Sequence, residues 1–585
     1  MNIIGLSGVP RSVAFKRAQW PGLDEREYRI CQGFDAAAVL VQDGRIIAAS
    51  AEERYTNRKH TGEFPVNAIK DCLQQASLGL DDIDQFAHAF NYEPYDFFFK
   101  QNTVSSKLYD EVLSKAAIIS SAQEVMPDFP GERLVCVNHH LSHAASAYFA
   151  SGWNECLVVI LDGMGEVYGG SVYSASNGKL DLLHEIPSID SIGILYSLIT
   201  LHLGFDFGAD EYKIMGLAPY GDAARFEAFF SSAVELLANA SIRIPMLAMN
   251  HTREERETYQ ITRNYLDDNL LPARKPGAPL LAIHQDVAAG LQKCLERAVR
   301  HICSGFADST GHRKLAMAGG VALNCTSNGK LMRSGLFEDI FIQPAAGDDG
   351  AAAGAALFCA AMAKEVFNER MPVPFLGPSY SSAEIEQAIE VYRQHITVQQ
   401  LDTHEACCES AADKIAEGKI IAWCRGRMEF GPRALGNRCI LGNPGDPTMR
   451  DRINALIKKR EAFRPFAPAV SIEQASKWFD VPPQLEFPYM IATANVRPEY
   501  RKALPAVTHV DGSARIQTVS AHDNKSFHAL LRVVGKKTGR ELVLNTSFNV
   551  KGQPMVNTPV EAISTMLDAN IDALYLENYL ICRKS

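Results

Sequence analysis

The stretch Asn138-His139-His140-Leu141-Ser142-His143-Ala144-Ala145-Ser146-Ala147-Tyr148 organises the reading of this chain. It follows the apolar run Leu134-Val135-Cys136-Val137, which predicts a strand, and its own small residues predict a helix. His139 and His143 are four apart, so both imidazoles fall on one helical face and can grip one metal ion. A His pair at this spacing also suits two polar caps at a helix start. Carboxylates further on favour the metal. Asp162 ends the run Cys156-Leu157-Val158-Val159-Ile160-Leu161, and Asp348 comes shortly after Asp339-Ile340-Phe341-Ile342-Gln343-Pro344. Acids near strand ends beside a His pair make a 2-His, 2-carboxylate set for a divalent first-row metal.

Outward from this stretch the first half alternates strand and helix. Residues 2–7 read as a strand, and a polar, basic insert runs from Pro10 to about Gln32. Asp43-Gly44 between two apolar runs predicts a hairpin, and Asn177-Gly178 predicts a second. Helices are expected over 66–77, 104–121, 195–203, 280–307 and 350–364, with helices from 222–275 lying over the site. Lys314 to Asn324 reads as strand, glycine turn and helix. Gly319-Gly320 would let backbone approach a nucleotide closely, although such a pair is equally a tight turn. Ala346-Gly347-Asp348-Asp349-Gly350 precedes a helix whose free N–H groups favour an anion or a metal-bound phosphate.

Prolines and glycines from Val366 to Pro378 mark a boundary, placing domains at 1–366 and 367–585. Helices fit 382–395, 405–417, 447–459, 526–538 and 559–569. Strands fit 419–424, 466–471, 489–496, 514–519, 541–545 and 573–577. Both halves are α/β. The chain has 585 residues, too many for one core. Its net charge of -10 argues against a chain built to bind nucleic acid through phosphates. The 13 cysteines contain no Cys-x-x-Cys pair and suit a reducing compartment, so a cytoplasmic location is expected. The first residues are too poor in apolar side chains for a signal peptide, and no run is long enough to span a membrane.

The second half carries cationic runs: Gly426 to Arg438, with Arg433; Lys458 to Pro468, with Arg464; and His509 to Arg515. Arg forks suit planar recognition of phosphate or a carbonate-like group, and Lys supplies a compact charge. These runs sit among Phe, Pro and Gly, which favours a lined pocket over a solvated face. Leu544-Asn545-Thr546-Ser547-Phe548-Asn549 ends a strand with amides and hydroxyls that could complete a triphosphate cradle, or be only a polar strand end.

With these runs the sequence resembles the O-carbamoyltransferases of antibiotic and nodulation-factor biosynthesis, a family that includes the tobramycin and cephamycin enzymes. The matching stretches are Asp35 to Ala38, Ala51 to Arg54, the His139/His143 motif, Lys213 to Gly221, Gly319 to Asn324, Gly347-Asp348 and the cationic runs. The resemblance implies an N-terminal actin-like domain, a duplicated ribonuclease-H-like fold, and a C-terminal YrdC-like domain. It implies that the second domain makes carbamoyl-adenylate from carbamoyl phosphate and ATP, with Mg on the ATP. The first would then transfer the carbamoyl group to the hydroxyl of a small natural product.

By the same resemblance His139, His143, Asp162 and Asp348 bind the metal, expected to be iron(II). Lys458, Arg464 and Arg515 hold the charged groups, with Arg433, Asn545 and Ser547 beside them. Lys213, Gly319, Gly320 and Asn324 fall in matched nucleotide-side motifs. The family commonly has a His before the Asp matching Asp35; here Phe34 stands there. Asp35, His140 or a residue of the insert is then expected to take the proton, or the acceptor is an activated hydroxyl such as a phenol. A tRNA threonylcarbamoyl enzyme would show a basic RNA-facing surface. A hydrogenase-maturation carbamoyltransferase would carry Cys-x-x-Cys zinc fingers. A non-catalytic actin-like scaffold would not need Lys458, Arg464 and the metal set together.

Overall fold

The hairpin predicted at Asp43-Gly44 forms, with both turn residues at positive φ (47° and 74°), as a two-residue turn between right-twisted strands requires. It joins β2 (Ala37–Gln42) to β3 (Arg45–Ala51), and β2 lies antiparallel to β1 (Asn2–Leu6). The computed structural model describes residues 1–365, 370–371, 373–461, 463–482 and 485–584. They divide into two compact units, Met1–Glu52 with His60–Met371, and Glu53–Lys59 with Pro372–Ser585. The boundary expected between 366 and 367 lies outside the described residues.

In the first unit β4 (Gln85–His88) and β5 (Leu134–Cys136) add parallel to β1, giving the order β3-β2-β1-β4-β5. Helix α1 (His139–Ser151) follows. The pattern then repeats. β6 (Glu155–Leu161), β7 (Tyr168–Ser176) and β8 (Lys179–Pro187) form an antiparallel meander. After the long helix α2 (Ala282–Thr310), β9 (Lys314–Ala318) and β10 (Asp339–Ile342) join parallel to β6, for the order β10-β9-β6-β7-β8. Two sheets of identical order are the duplication that the resemblance implies. Helix α3 (Asp348–Met362) packs on α1 and on the first sheet. Its alanines and glycines allow this: a Cβ on Gly354 would stand 1.6 Å from the Ser142 carbonyl oxygen. This close crossing carries the start of α3 to the start of α1.

Two helical expectations change. Residues 104–121 form Thr103–Leu108, a wider turn Tyr109–Leu113, and Lys115–Val125. Ser114 breaks them, because it is extended and its hydroxyl caps the Ala117 N–H. Residues 222–275 form short helices interrupted by a two-stranded ribbon, Glu235–Leu236 with Ile242–Arg243.

The second unit is built on one mixed sheet. Its strands are β11 (Ile396–Gln400), β12 (Ile421–Cys424), β13 (Arg438–Gly442), β14 (Ala467–Ser471), β15 (Gln517–Val519), β16 (Leu542–Ser547), β17 (Ala573–Leu576) and β18 (Tyr579–Arg583). Their order is β11-β18-β17-β12-β13-β16-β14-β15. Helices α4 (His404–Ala416) and α5 (Lys525–Thr538) pack with Trp423, Val543 and Tyr575 in its core. β13 is central and was not expected, since its charged, glycine-flanked run hides a strand. The strand expected over 514–519 is two strands, Ser513–Arg515 in a small three-stranded sheet and β15 in the large one. The helix expected over 447–459 is Met449–Ile453 continued by a wider turn to Lys458, and Lys459 closes it at φ 43°.

Candidate active site

Four side chains of types that can hold a metal ion converge in the first unit. His139 Nε2 stands 3.2 Å from His143 Nε2, 3.3 Å from Asp162 Oδ2 and 3.5 Å from Asp348 Oδ1. His143 Nε2 is 3.7 Å from the same Asp348 oxygen. Both imidazoles are fully buried. Donors about 2.0–2.2 Å from a tetrahedral ion stand roughly 3.3–3.6 Å apart, so these spacings fit one divalent cation. Each donor is placed by an element end: the two His by the first turns of α1, Asp162 by the end of β6, Asp348 by the first residue of α3.

The surroundings orient the donors. His139 Nδ1–H donates to the Ala89 carbonyl at 3.0 Å, which leaves Nε2 as the lone-pair nitrogen facing the acids. The Phe90 ring stacks on His139 at 4.0 Å. Asp162 Oδ1 accepts the Gly320 N–H at 2.7 Å, so Oδ2 faces the imidazoles. A Cβ on Gly319 would meet the Leu161 carbonyl oxygen at 2.4 Å. The Gly319-Gly320 turn thus serves Asp162 directly. Burial works against an imidazolium at His139, yet Asp348 and Asp162 outweigh it and raise its pKa well above the ordinary value. Burial likewise opposes ionised Asp162, but the facing histidines hold its carboxyl below the usual range. Two acids here require positive charge, which a cation held by these donors would supply in place of a proton.

Sequence reading missed Glu166, on the loop after Asp162. It is almost wholly buried, and burial pushes its carboxyl above the usual range. Its Oε1 accepts the backbone N–H of His139 and of Asn91, each at 2.8 Å, and Oε2 accepts Asn138 Nδ2 at 3.1 Å. It therefore binds the positive end of α1 beside the Asn138 cap, whose Oδ1 accepts the Leu141 N–H. The sequence signal was an acid four residues after Asp162.

His140 stands next to the quartet but is not part of it. It is 2% exposed, and burial first, then His139, lowers its pKa to about 3. Asp35 lies 2.7 Å from His60 Nδ1 instead. Phe34 lies under the Arg29 guanidinium, 4.4 Å from its ring centre. The insert reaches the site through Gln32, whose amide donates to the Gly165 carbonyl and whose Oε1 accepts Tyr92 OH. Lys213 pairs with Asp210 at 2.7 Å. Asn324 caps the helix Cys325–Met332 and exchanges hydrogen bonds with Gln292.

In the second unit the expected cationic side chains meet in part. Lys458 is 5% exposed, and its Nζ donates to Ser547 O (2.6 Å), Asn549 Oδ1 (2.6 Å) and Asn549 O (2.9 Å). Burial, then Arg460, Arg464 and Lys59, push its pKa well below the ordinary lysine value. Ser547 is thus beside Lys458, and the charge of Arg464 reaches it; Arg464 also pairs with Glu461 at 3.6 Å. Ala462, between them, lies outside the described residues. Arg433 sits on a different loop, Gly431–Asn437. Glu429 Oε1 holds that loop by accepting the N–H of Leu435, Asn437 and Arg438. The buried Arg438 guanidinium donates to the carbonyls of Arg425, Gly426 and Pro378. Asn545, fully buried, donates to the Ala434 carbonyl of the same loop and to Gln517. Arg515 ends the short strand Ser513–Arg515. Glu429 and Arg438 lie in the cationic run read from the sequence, but their role in bracing its own loop through backbone groups was not read, nor was Gln517.

Comparison with known proteins places the chain in a family. The family profile described as Carbamoyltransferase N-terminus matches residues 30–93 and 97–357, and Carbamoyltransferase C-terminus matches 412–583. Nodulation protein NolNO of Sinorhizobium fredii is 40% identical, with 94% of this chain and 79% of that protein covered. Nodulation protein NolO of Bradyrhizobium diazoefficiens is 39% identical over 77% of this chain and 79% of its own. An uncharacterized Synechocystis protein is 36% identical, over 94% and 95% of the two chains. Component A of (R)-2-hydroxyglutaryl-CoA dehydratase from Acidaminococcus fermentans is similar only at TM-score 0.31 and 15% identity, covering 62% of this chain and 99% of that one, which is too distant to carry an argument. Profile matches over both units, together with relatives near 40% identity along most of their length, show that this chain belongs to the carbamoyltransferase family and is a carbamoyltransferase.

Proposed function

We propose that the chain is an ATP-dependent O-carbamoyltransferase that works through carbamoyl-adenylate and delivers the carbamoyl group to a hydroxyl of a small natural product. What supports this most is the segregation of two chemistries: convergent metal-type donors in the first unit, and in the second the buried Lys458 with the charges of Arg460 and Arg464 reaching it. In the second unit, read as YrdC-like, the positive charges of Arg464, Arg515 and Arg433 suit the phosphates of carbamoyl phosphate and Mg-ATP. One water first cleaves carbamoyl phosphate to carbamate and inorganic phosphate; a carbamate oxygen then attacks the α-phosphorus of ATP, pyrophosphate leaves, and exclusion of further water protects the carbamate meanwhile. In the first unit, His139, His143, Asp162 and Asp348 would hold iron(II) or another divalent first-row ion, which would supply Lewis acidity toward the oxygen that gains charge during transfer. Glu166 and Gly320 keep those donors in register. The acceptor oxygen then bonds to the carbamoyl carbon and AMP leaves.

The net charge of -10 favours a small molecule over tRNA as the acceptor class. Incubation with ATP, carbamoyl phosphate and a panel of sugar and phenol acceptors should yield pyrophosphate, AMP and a product heavier by one carbamoyl group. Pyrophosphate release that ignores carbamoyl phosphate would overturn the reading.

A further inference from the structure

Asp35 and His60 form a constellation in the first unit outside the quartet. His60 Nδ1 lies 2.7 Å from Asp35 Oδ1, and the two side chains are 24% and 35% exposed. Nδ1–H donating to the carboxylate leaves Nε2 as the lone-pair nitrogen. Both residues have positive φ, 56° at Asp35 and 57° at His60, a conformation that side-chain-bearing residues seldom adopt. Such geometry persists only where neighbours impose it, and it concentrates at functional sites.

The imposing neighbours are visible. The Ala36 N–H donates to the Thr61 carbonyl at 2.8 Å, and Ser7 Oγ donates to the Asp35 carbonyl at 3.0 Å. A Cβ on Gly62 would stand 2.5 Å from the Gly33 carbonyl oxygen. The same layer of loops touches the quartet's support. The Gly8 carbonyl accepts from His88 Nε2 at 2.8 Å, and Phe90, two residues on, is the ring stacked on His139. An imidazole oriented by a carboxylate and partly open to solvent, on loops that lead through Gly8 and His88 to the quartet's support, is the arrangement of a general base.

We propose that His60 is the catalytic base of the transfer step and that Asp35 is its positioning residue. This rests on the reading of the first unit as the place where a hydroxyl accepts the carbamoyl group. The acceptor O–H gives its proton to His60 Nε2 as its oxygen bonds to the carbamoyl carbon. The bond from that carbon to the AMP oxygen breaks, and AMP leaves with the electron pair. Asp35 stabilises the imidazolium, which then releases its proton to water.

Two nucleophiles test this with the full chain, and neither requires the natural acceptor. Water must lose a proton to attack, whereas hydroxylamine attacks as a neutral amine. In His60→Ala and His60→Gln, AMP release in water should fall roughly 100-fold, the usual scale of general-base catalysis. AMP release with hydroxylamine should stay within about threefold, which also shows the variants to be folded. Asp35→Asn should move the pH profile of the water reaction, and Asp35→Glu should restore it in part. Equal loss with both nucleophiles, or none with either, overturns the proposal. Failure of the adenylate reading would look different: wild type would make no pyrophosphate. Phosphate release from carbamoyl phosphate with the same two nucleophiles would then decide the role of His60.

Discussion

The quartet at His139 and the cage around Lys458 are both buried and polar, and they balance charge in opposite ways. At the quartet, imidazole nitrogens face carboxylate oxygens at 3.3–3.7 Å, on the ends of a strand and two helices. At Lys458 the amine donates to two carbonyls and an amide oxygen from Ser547 and Asn549, with no ion-paired acid among the described residues. The first has the donor set and spacing that fit one cation. The second is a cation lodged among dipoles, with further cations at Arg460 and Arg464, and suits an anion. Carbonyl dipoles can solvate an ammonium without cancelling its charge, so the region stays positive while its buried N–H groups are satisfied.

The comparison is broken most sharply by His139→Ala. Carbamoyl transfer should drop by about 1000-fold or more, while carbamoyl-phosphate-dependent pyrophosphate release stays within a few-fold of wild type. Loss of both activities in a folded variant would deny the separation of chemistries.

Glu166→Gln probes the support rather than the donors. It keeps the shape but removes the charge that binds the N-terminus of α1. Apparent metal affinity should weaken about 10- to 100-fold, as when other outer partners of ligands are lost. Titration of the chelated protein with a divalent metal would read this, and unchanged affinity would reduce Glu166 to a helix cap.

Lys458 predicts a sign. Its pKa is lower folded than unfolded, so between the depressed value and the ordinary lysine value the unfolded chain binds more protons. Its contribution to stability should therefore rise with pH across that window. Denaturant melts of wild type and Lys458→Met from neutral to alkaline pH should show a steeper rise, or shallower fall, in wild type. A parallel pair of curves would mean that Lys458 titrates normally.

The smallest effect is expected from Asn138→Ala. Removing that cap should cost about 1 kcal/mol in denaturant unfolding, with Glu166 still holding the His139 N–H.

Much was legible in the sequence because it is carried by local spacing. The i, i+4 pair His139/His143, the hairpin at Asp43-Gly44 and the acids after apolar strands all announce themselves within a few residues. Glu166, His60 and Glu429 were not legible, since what they do depends on Ala89-to-Asn91, Asp35 and Leu435-to-Arg438, which only folding brings beside them. Asn545 and Gly320 were legible as polar and flexible, but their partners are the Ala434 carbonyl and Asp162 Oδ1.

By itself the sequence determined the alternation of strands and helices, the His139/His143 spacing and the cationic character of the second half, because residue type and periodicity suffice for these. The tertiary structure alone decided that Gly354 lets α3 close on α1, so that Asp348 meets both histidines. It also decided that Lys458 meets oxygens and that Asp35 meets His60. Distances between chain-distant atoms follow from packing, and no local pattern encodes them.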